Sequence, residues 1–313
     1  MDIDYLLWLQ QIRQALGSFA DVLFNIISLV GIAAVAVIAY IYWCRDKQKG
    51  KFLLASFTIG ASLNSAIKNT ICAYRPWKRD ARIVPSALSI STAGGYSCPS
   101  GHTITAVSVY GGIAMQEKKN KKMMWGMIIL ILLIAFSRNY LGVHTPQDVL
   151  IAMAEGIFVL FAVQKLFAWY EKGDRNDTVI LAAGLLITAG LIAYTLLKSY
   201  PMTYENGVLL VDPKDMQADG MKSYGMFAGA LVGWYLEKKY VCFSTEHLDR
   251  RTRILRLIIG AIITAGLYFG VSFIAKRMID LRIAKFLSAG LAVFGAVYLA
   301  PLLFWRMENK KEG

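Results

Sequence analysis

Long runs without a single charge, separated by short charged clusters, constrain this chain more than any other feature. Residues 22–44, 178–197, 257–275 and 286–305 carry no Asp, Glu, Lys or Arg, and each is long enough to cross roughly 30 Å of hydrocarbon as one helix. Residues 52–67, 103–116, 123–137, 149–163 and 223–236 are shorter or hold one acid, Glu155. Each extends through its polar flanks into a spanning helix. The pattern predicts an all-α, polytopic transmembrane helical bundle of about nine spans. Composition agrees: the 313 residues are 56% hydrophobic and 18% charged, where a soluble domain averages about 45–50% and about 25%. Disorder, collagen-like repeats and a small disulfide scaffold are excluded. Four cysteines without a C-x-x-C pair make neither a disulfide framework nor a redox or zinc motif.

Residues 1–17 lack a basic n-region and a cleavage site, so they are not read as a signal peptide. Ile3, Leu6, Leu7, Leu9 and Ile12 predict a short interfacial helix. The net charge of +13 is read not as a nucleic-acid footprint but as an excess of cations in cytoplasmic loops. One face collects Arg45, Lys47, Lys49, Lys51, Lys118, Lys119, Lys121 and Lys122, then Lys172, Arg175, Lys238, Lys239, Arg250, Arg251, Arg253, Arg306, Lys310 and Lys311. That face is expected in the cytoplasm, which puts the amino terminus outside and the carboxy terminus inside. Tyr42-Trp43, Trp169-Tyr170 and Trp234-Tyr235 form an aromatic belt at the same ends.

Charge at the mouth of a membrane bundle is costly and therefore informative. Lys68 ends the second span, Arg75-Pro76 follows, Pro99-Ser100-Gly101-His102 opens the third, and Ser137-Arg138 closes the fourth ahead of His144 and Asp148. All fall on the outward face. The residue types suit a phosphate: arginine offers a planar fork, lysine a compact charge, and the opening amides of a helix an anion site. Singly, each residue has a plainer reading. Thr145-Pro146-Gln147-Asp148 is also a helix start with Asp148 in a capping box, Ser100 a helix cap, and Arg75 and Arg138 snorkelling side chains.

Taken together, K-x6-R-P, P-S-G-H and S-R-x5-H-x3-D resemble the three-part signature of the type 2 phosphatidic acid phosphatase (PAP2) superfamily, over roughly residues 52–163. The resemblance implies a PAP2-type core and a phosphohistidine mechanism without metal or other cofactor. His144 would be the nucleophile, Asp148 its orienting carboxylate, and His102 the acid for the leaving alkoxide and then the base for water. Lys68, Arg75, Arg138 and the Ser100 and Gly101 amides would hold the phosphoryl oxygens. The expected organisation is an amphipathic segment at 1–18, a catalytic core at 19–171 and a four-span region at 172–313. Nine spans with the amino end on the site's side are also similar in layout to glucose-6-phosphatase and sphingosine-1-phosphate phosphatase relatives.

A site at the bilayer surface suits an amphiphile, so the expected partners are the bilayer and a lipid phosphate substrate: phosphatidate or phosphatidylglycerophosphate, a sphingoid-base phosphate, or a polyprenyl pyrophosphate. Alternatives are a water-soluble phosphomonoester such as glucose-6-phosphate, a lipid phosphotransferase and, outside enzymes, a transporter. The absence of internal symmetry argues against the last. Residues 76–98, with Trp77, Lys78, Arg79, Arg82 and Tyr96, are expected to roof the site as an irregular loop, and 200–221 to form an acidic outer loop. Cys72 and Cys98 are expected as unbridged thiols, His247 as a solvated residue. The Gly225, Gly229 and Gly233 face is expected to pack within the bundle.

Overall fold

The computed structural model describes residues 1–173 and 176–309, and these described residues form nine long helices besides two short helical turns. They are α1 (Asp2–Tyr40, continuing as a π turn, Ile41–Arg45), α2 (Lys47–Ile71) and α3, built from Gly101–Ala106, a π segment Val107–Gly111 and Gly112–Gln116. There follow α4 (Lys121–Tyr140), α5 (Pro146–Tyr170), α6 (Asn176–Leu197), α7 (Pro213–Tyr240) and α8 (Arg250–Met278). The last, α9, is Leu281–Phe294 continued by Gly295–Leu299 and Ala300–Asn309. Polar residues between the apolar runs start the helices. Asn120 Oδ1 accepts from the Met123 amide at 3.1 Å, and Asp249 Oδ1 from the Thr252 amide at 3.0 Å.

Among the described residues six helices are long and apolar enough to cross a membrane: Asp2–Arg45, Lys121–Tyr140, Pro146–Tyr170, Asn176–Leu197, Arg250–Met278 and Leu281–Glu308. This is a multi-pass membrane protein. The other expected spans, at 52–67, 103–116 and 223–236, lie on α2, α3 and α7, which are helical but less apolar. On α2 the reason is visible: Ser56, Thr58, Ser62, Asn64 and Asn69 are all buried, so its polar side chains face protein. Arg175, Lys310 and Lys311 lie outside the described residues.

Two compact units make up the chain, with α1, α2, α5 and the first turn of α7 shared between them. One comprises Met1–Val35, Leu63–Phe161 and Ser199–Met216, and it contains every residue of the signature. Its amino-terminal stretch departs from the simple interfacial helix expected. Leu6 and Leu9 are buried against Ile83, with Ile3, Leu7, Ile12 and Trp77 packed around them. The protein itself covers this apolar face. Gly17, at φ 71°, interrupts the helix between this stretch and the charge-free run. The expected loop at 200–221 is also shorter than its composition implied. A two-residue hairpin pairs Tyr204–Glu205 with Val208–Leu209, and α7 then begins at Pro213, the favoured first position of a helix. Asp215 and Asp219 are therefore helical.

The second unit comprises Ala36–Ser62, Ala162–Lys198 and Gln217–Gly313. Tyr42, Trp43, Phe243, Val297 and Phe304 form its core. Arg256, 2% exposed, lies beside the rings of Phe243 and Phe304 and forks onto Glu308 at 2.8 and 2.6 Å. The glycine face of α7 packs inside this unit: a Cβ on Gly229 would stand 2.1 Å from the Gly290 carbonyl oxygen. Gly229→Ala should therefore cost about 1–3 kcal/mol, as overpacked sites do. Gly266→Ala, with nothing within 4 Å, should be neutral or mildly stabilising. Thermal unfolding of both in detergent checks this, and equal midpoints would refute the close approach.

Candidate active site

The site is assembled where α4 ends and α5 begins. After Tyr140 the chain folds back, and the amides of Val143 and His144 both donate to the Arg138 carbonyl at 3.2 Å. Asn139 Nδ2 donates to the His144 carbonyl at 2.9 Å. These bonds fix His144, 2% exposed, at the threshold of α5. Thr145 and Asp148 then cap each other: the Thr145 amide donates to Asp148 Oδ2 at 2.8 Å and the Asp148 amide to Thr145 Oγ1 at 3.3 Å. The helix-start reading of Asp148 holds. The same Oδ2 also lies 3.3 Å from His144 Nδ1, where an orienting carboxylate would stand, and accepts from Ser97 Oγ at 2.6 Å.

A carboxylate at Nδ1 sets the tautomer: the proton sits on Nδ1, and Nε2 keeps its lone pair. Arg75 Nη1 stands 2.9 Å from that Nε2. Arg75 is held by three carbonyls, donating to Val143 at 3.0 Å, Gly94 at 2.8 Å and Gly95 at 3.3 Å. The residues just before Pro99 thus line the site, although the segment from Pro76 also makes two helical turns, Pro76–Arg79 and Ala87–Ile90. Lys68 Nζ reaches the same stretch and donates to the carbonyls of Pro99 at 2.8 Å, Tyr96 at 3.2 Å and Ser97 at 3.4 Å.

Ser100 is the N-cap of α3 and its amide donates to the Asp148 carbonyl at 3.0 Å, tying the starts of α3 and α5 together. Deeper along the same pair, a Cβ on Gly156 would lie 2.5 Å from Val107, so the helices touch backbone to side chain. His102 follows from the α3 start, and Arg138, Arg75 and Lys68 all act on it electrostatically. Its Nε2 is buried without a hydrogen-bond partner. Arg138, 1% exposed, donates through Nη1 to Ser28 Oγ, while its Nε and Nη2 are buried and unpartnered. Buried donors are rarely left unmade. Here two of them, on Arg138, and the unpartnered His102 Nε2 belong to one cluster into which Asp148 brings a hydrogen-bonded carboxylate, and an anion with several acceptor oxygens is the ligand that would complete it.

The eight residues expected from the sequence therefore converge in one unit. Trp77, expected in the roof, lies with its ring 5.9 Å from the Arg75 guanidinium. Three more residues bond to the cluster that the sequence reading did not single out: Ser97, Asn139 and Ser28. Asn139 adjoins Arg138, and Ser97 lies two residues before Pro99, a signal of a kind. Ser28 sits in a charge-free run and carries none. Elsewhere, Cys72 donates to the Asn69 carbonyl at 2.9 Å rather than bridging to Cys98, and His247 is exposed.

Burial, and next the Arg75 guanidinium, hold the His144 imidazole well below its usual range, outweighing the opposing pull of Asp148. The unfolded chain would protonate this histidine near 6.5. Below that pH the unfolded state binds a proton that the folded one refuses, so stability falls as pH falls. The thermal midpoint of the wild type should drop relative to that of His144→Asn between about pH 7 and pH 5. A constant difference across that window would contradict a buried neutral imidazole.

Two family profiles match the chain: "PAP2 superfamily" over residues 49–172 and "PAP2 superfamily phosphatase, transmembrane extension" over residues 221–312. Phosphatidylglycerophosphatase B of Bacillus subtilis is 29% identical over 134 residues, covering 40% of this chain and 62% of that protein. An undecaprenyl-diphosphatase of Sulfolobus acidocaldarius is 32% identical over 118 residues, covering 37% of this chain and 54% of that protein. The chain thus spans between half and two thirds of the length of these curated relatives. No solved structure matches it. The matched residues contain the whole His102, His144 and Asp148 constellation with its three cations, and the chain belongs to the PAP2 superfamily.

Proposed function

We propose that this protein is a membrane phosphatase that hydrolyses lipid phosphates through a phosphohistidine. The observation that carries the reading is the pairing of a lone-pair nitrogen with unfilled donors. His144 Nε2 faces Arg75, Asp148 stands behind Nδ1, and the Nε and Nη2 of Arg138 and Nε2 of His102 are buried and unmade. Phosphate oxygens would draw Arg75 off Nε2 and fill the Arg138 edge. His144 Nε2 then attacks phosphorus, and the P–O bond to the lipid breaks. His102 delivers a proton to the leaving oxygen. Asp148 holds the cationic phosphoimidazole in place. Water, deprotonated by His102, cleaves the P–N bond, returning the imidazole and releasing inorganic phosphate. The cations stabilise the charge on the equatorial oxygens in both steps.

The printed names of the relatives, a phosphatidylglycerophosphatase and an undecaprenyl-diphosphatase, support an amphiphilic substrate. In the second case a lipid monophosphate would leave in place of an alkoxide. The clustering of Lys and Arg at the opposite helix ends supports a site on the outer face of the cell membrane, with the amino terminus outside.

Phosphate release in EDTA from phosphatidylglycerophosphate, phosphatidate, sphingosine phosphate, undecaprenyl diphosphate and glucose-6-phosphate tests this reading. The lipids should be preferred, and His144→Ala should lower release by roughly a thousandfold or more. Preference for glucose-6-phosphate would overturn the lipid assignment, and an active His144→Ala the mechanism. Asp148→Asn separates the two roles of that carboxylate. The amide can still accept from the Thr145 amide, so the thermal midpoint should stay near wild type while kcat falls by roughly 10²–10⁴. For orientation, an impermeant maleimide on intact cells should label Arg82→Cys, which is exposed, but reach the exposed Cys242 only after lysis. The reverse pattern would place the site in the cytoplasm.

A further inference from the structure

Arg138 belongs to the signature, yet among the described residues no signature residue holds its guanidinium. The neighbouring Ser137 hydroxyl donates to the Ile134 carbonyl at 2.6 Å, within its own helix. Among the described residues the one hydrogen bond made by the Arg138 guanidinium goes to Ser28 Oγ, on α1, a helix that lies outside the matched residues 49–172. Ser28 is 2% exposed. We infer that Ser28 is a positioning residue for the reaction: by holding Nη1 of Arg138 it aims the opposite edge of the guanidinium at the phosphoryl group.

The geometry of the guanidinium gives this its force. A guanidinium has edges on which two N–H groups point in parallel, and these edges take two oxygens of one phosphate. Ser28 occupies Nη1. The atoms left unpartnered are Nε and Nη2, which together form one such edge. Anchoring at Nη1 therefore fixes the side chain without consuming the binding edge.

The same face of α1 also backs His102. A Cβ on Gly31, one turn after Ser28, would lie 3.5 Å from the His102 carbonyl and 3.8 Å from its Cβ. Between them the Val30 carbonyl accepts from Tyr110 Oη of α3 at 2.7 Å. One turn before Ser28, Asn25 is held from two sides, donating to Ser86 Oγ at 3.0 Å and accepting from Ser89 Oγ at 2.6 Å. The register of Ser28 is thus set above and below. The first helix is a wall of the active site rather than a bystander.

This inference rests on the phosphatase reading, and the test separates the two. Wild type, Ser28→Ala, Ser28→Thr and Ser28→Cys are compared for kcat, KM and competitive inhibition by orthovanadate, with thermal midpoints in detergent. Ser28→Ala should lower kcat/KM about tenfold, the worth of one hydrogen bond to a charged group, and weaken vanadate inhibition by a similar factor. Ser28→Thr, which keeps the acceptor, should remain near wild type. If Ser28→Ala does not fold, Ser28→Cys, of nearly the same size but with a weak acceptor, should show the same losses. Unchanged kinetics and vanadate inhibition in a folded Ser28→Ala or Ser28→Cys would overturn the inference, as would equal losses in Ser28→Thr. A wild type that releases no phosphate would sink the phosphatase reading alone. The thermal shift given by vanadate, compared between wild type and Ser28→Ala, would still decide whether Ser28 positions Arg138.

Discussion

Burying a guanidinium is the constraint on which the rest of this site depends. Arg75 and Arg138 are 4% and 1% exposed, with Lys68 close by, and Asp148 is a carboxylate bonded into the cluster. Removing such charges from water costs several kcal/mol each unless hydrogen bonds replace the lost hydration. Backbone carbonyls replace much of it. Arg75 takes those of Val143, Gly94 and Gly95, and Lys68 those of Tyr96, Ser97 and Pro99. The chain before Pro99 is bent around these two cations, so its irregular course is a consequence of solvating them. Arg138 is treated differently: one donor is satisfied and an edge is left open. On the proposed reading, that open edge is where binding free energy for an anion is held in reserve.

Asp148 shows how one atom can serve folding and chemistry together. Its Oδ2 meets the Thr145 amide, the Ser97 hydroxyl and His144 Nδ1. The capping bond fixes the first turn of α5, and that turn in turn fixes the carboxylate against the imidazole. A carboxylate on a freely rotating side chain would select the tautomer only part of the time. One that is locked by the helix it starts selects it always. Read singly, the helix-start and catalytic interpretations of T-P-Q-D compete, but in space they are the same arrangement.

Much of this was legible in the sequence because its information is local or expensive. Charge-free runs report helices directly, since an unpaired charge in hydrocarbon is costly. The six ionisable signature residues stand out because histidine, lysine, arginine and aspartate are unusual at the ends of apolar helices. What could not be read is of the opposite kind. Ser28 is a small hydroxyl in a run of apolar residues, and nothing about it differs from a lipid-facing or cap-forming serine until α4 brings Arg138 beside it. The amino-terminal stretch reads as interfacial because Leu6 and Leu9 have the right period, but period does not say what covers a face. Here Ile83, some seventy residues later, does so. On α2, buried Ser56, Thr58 and Asn64 face protein, which lowers its hydropathy without turning a polar group outward.

The contact between Arg75 and His144 ties the resting site to its proposed chemistry. The lone pair on Nε2 is occupied by an N–H from Arg75 at 2.9 Å. A lone pair held in a hydrogen bond is a poor nucleophile, and an imidazole facing a fixed cation resists protonation, so the residue is kept neutral yet quiet. A phosphate dianion is a better acceptor for a guanidinium than a neutral imidazole is. Its arrival would therefore move that N–H from nitrogen to oxygen and free Nε2 in the same step, with the phosphorus already beside it. On the proposed mechanism, attack and activation would become one event only for a ligand that carries the charge to draw Arg75 away. A neutral ester lacks that charge, and water cannot supply it, so the proposed nucleophile would stay masked until the substrate unmasks it.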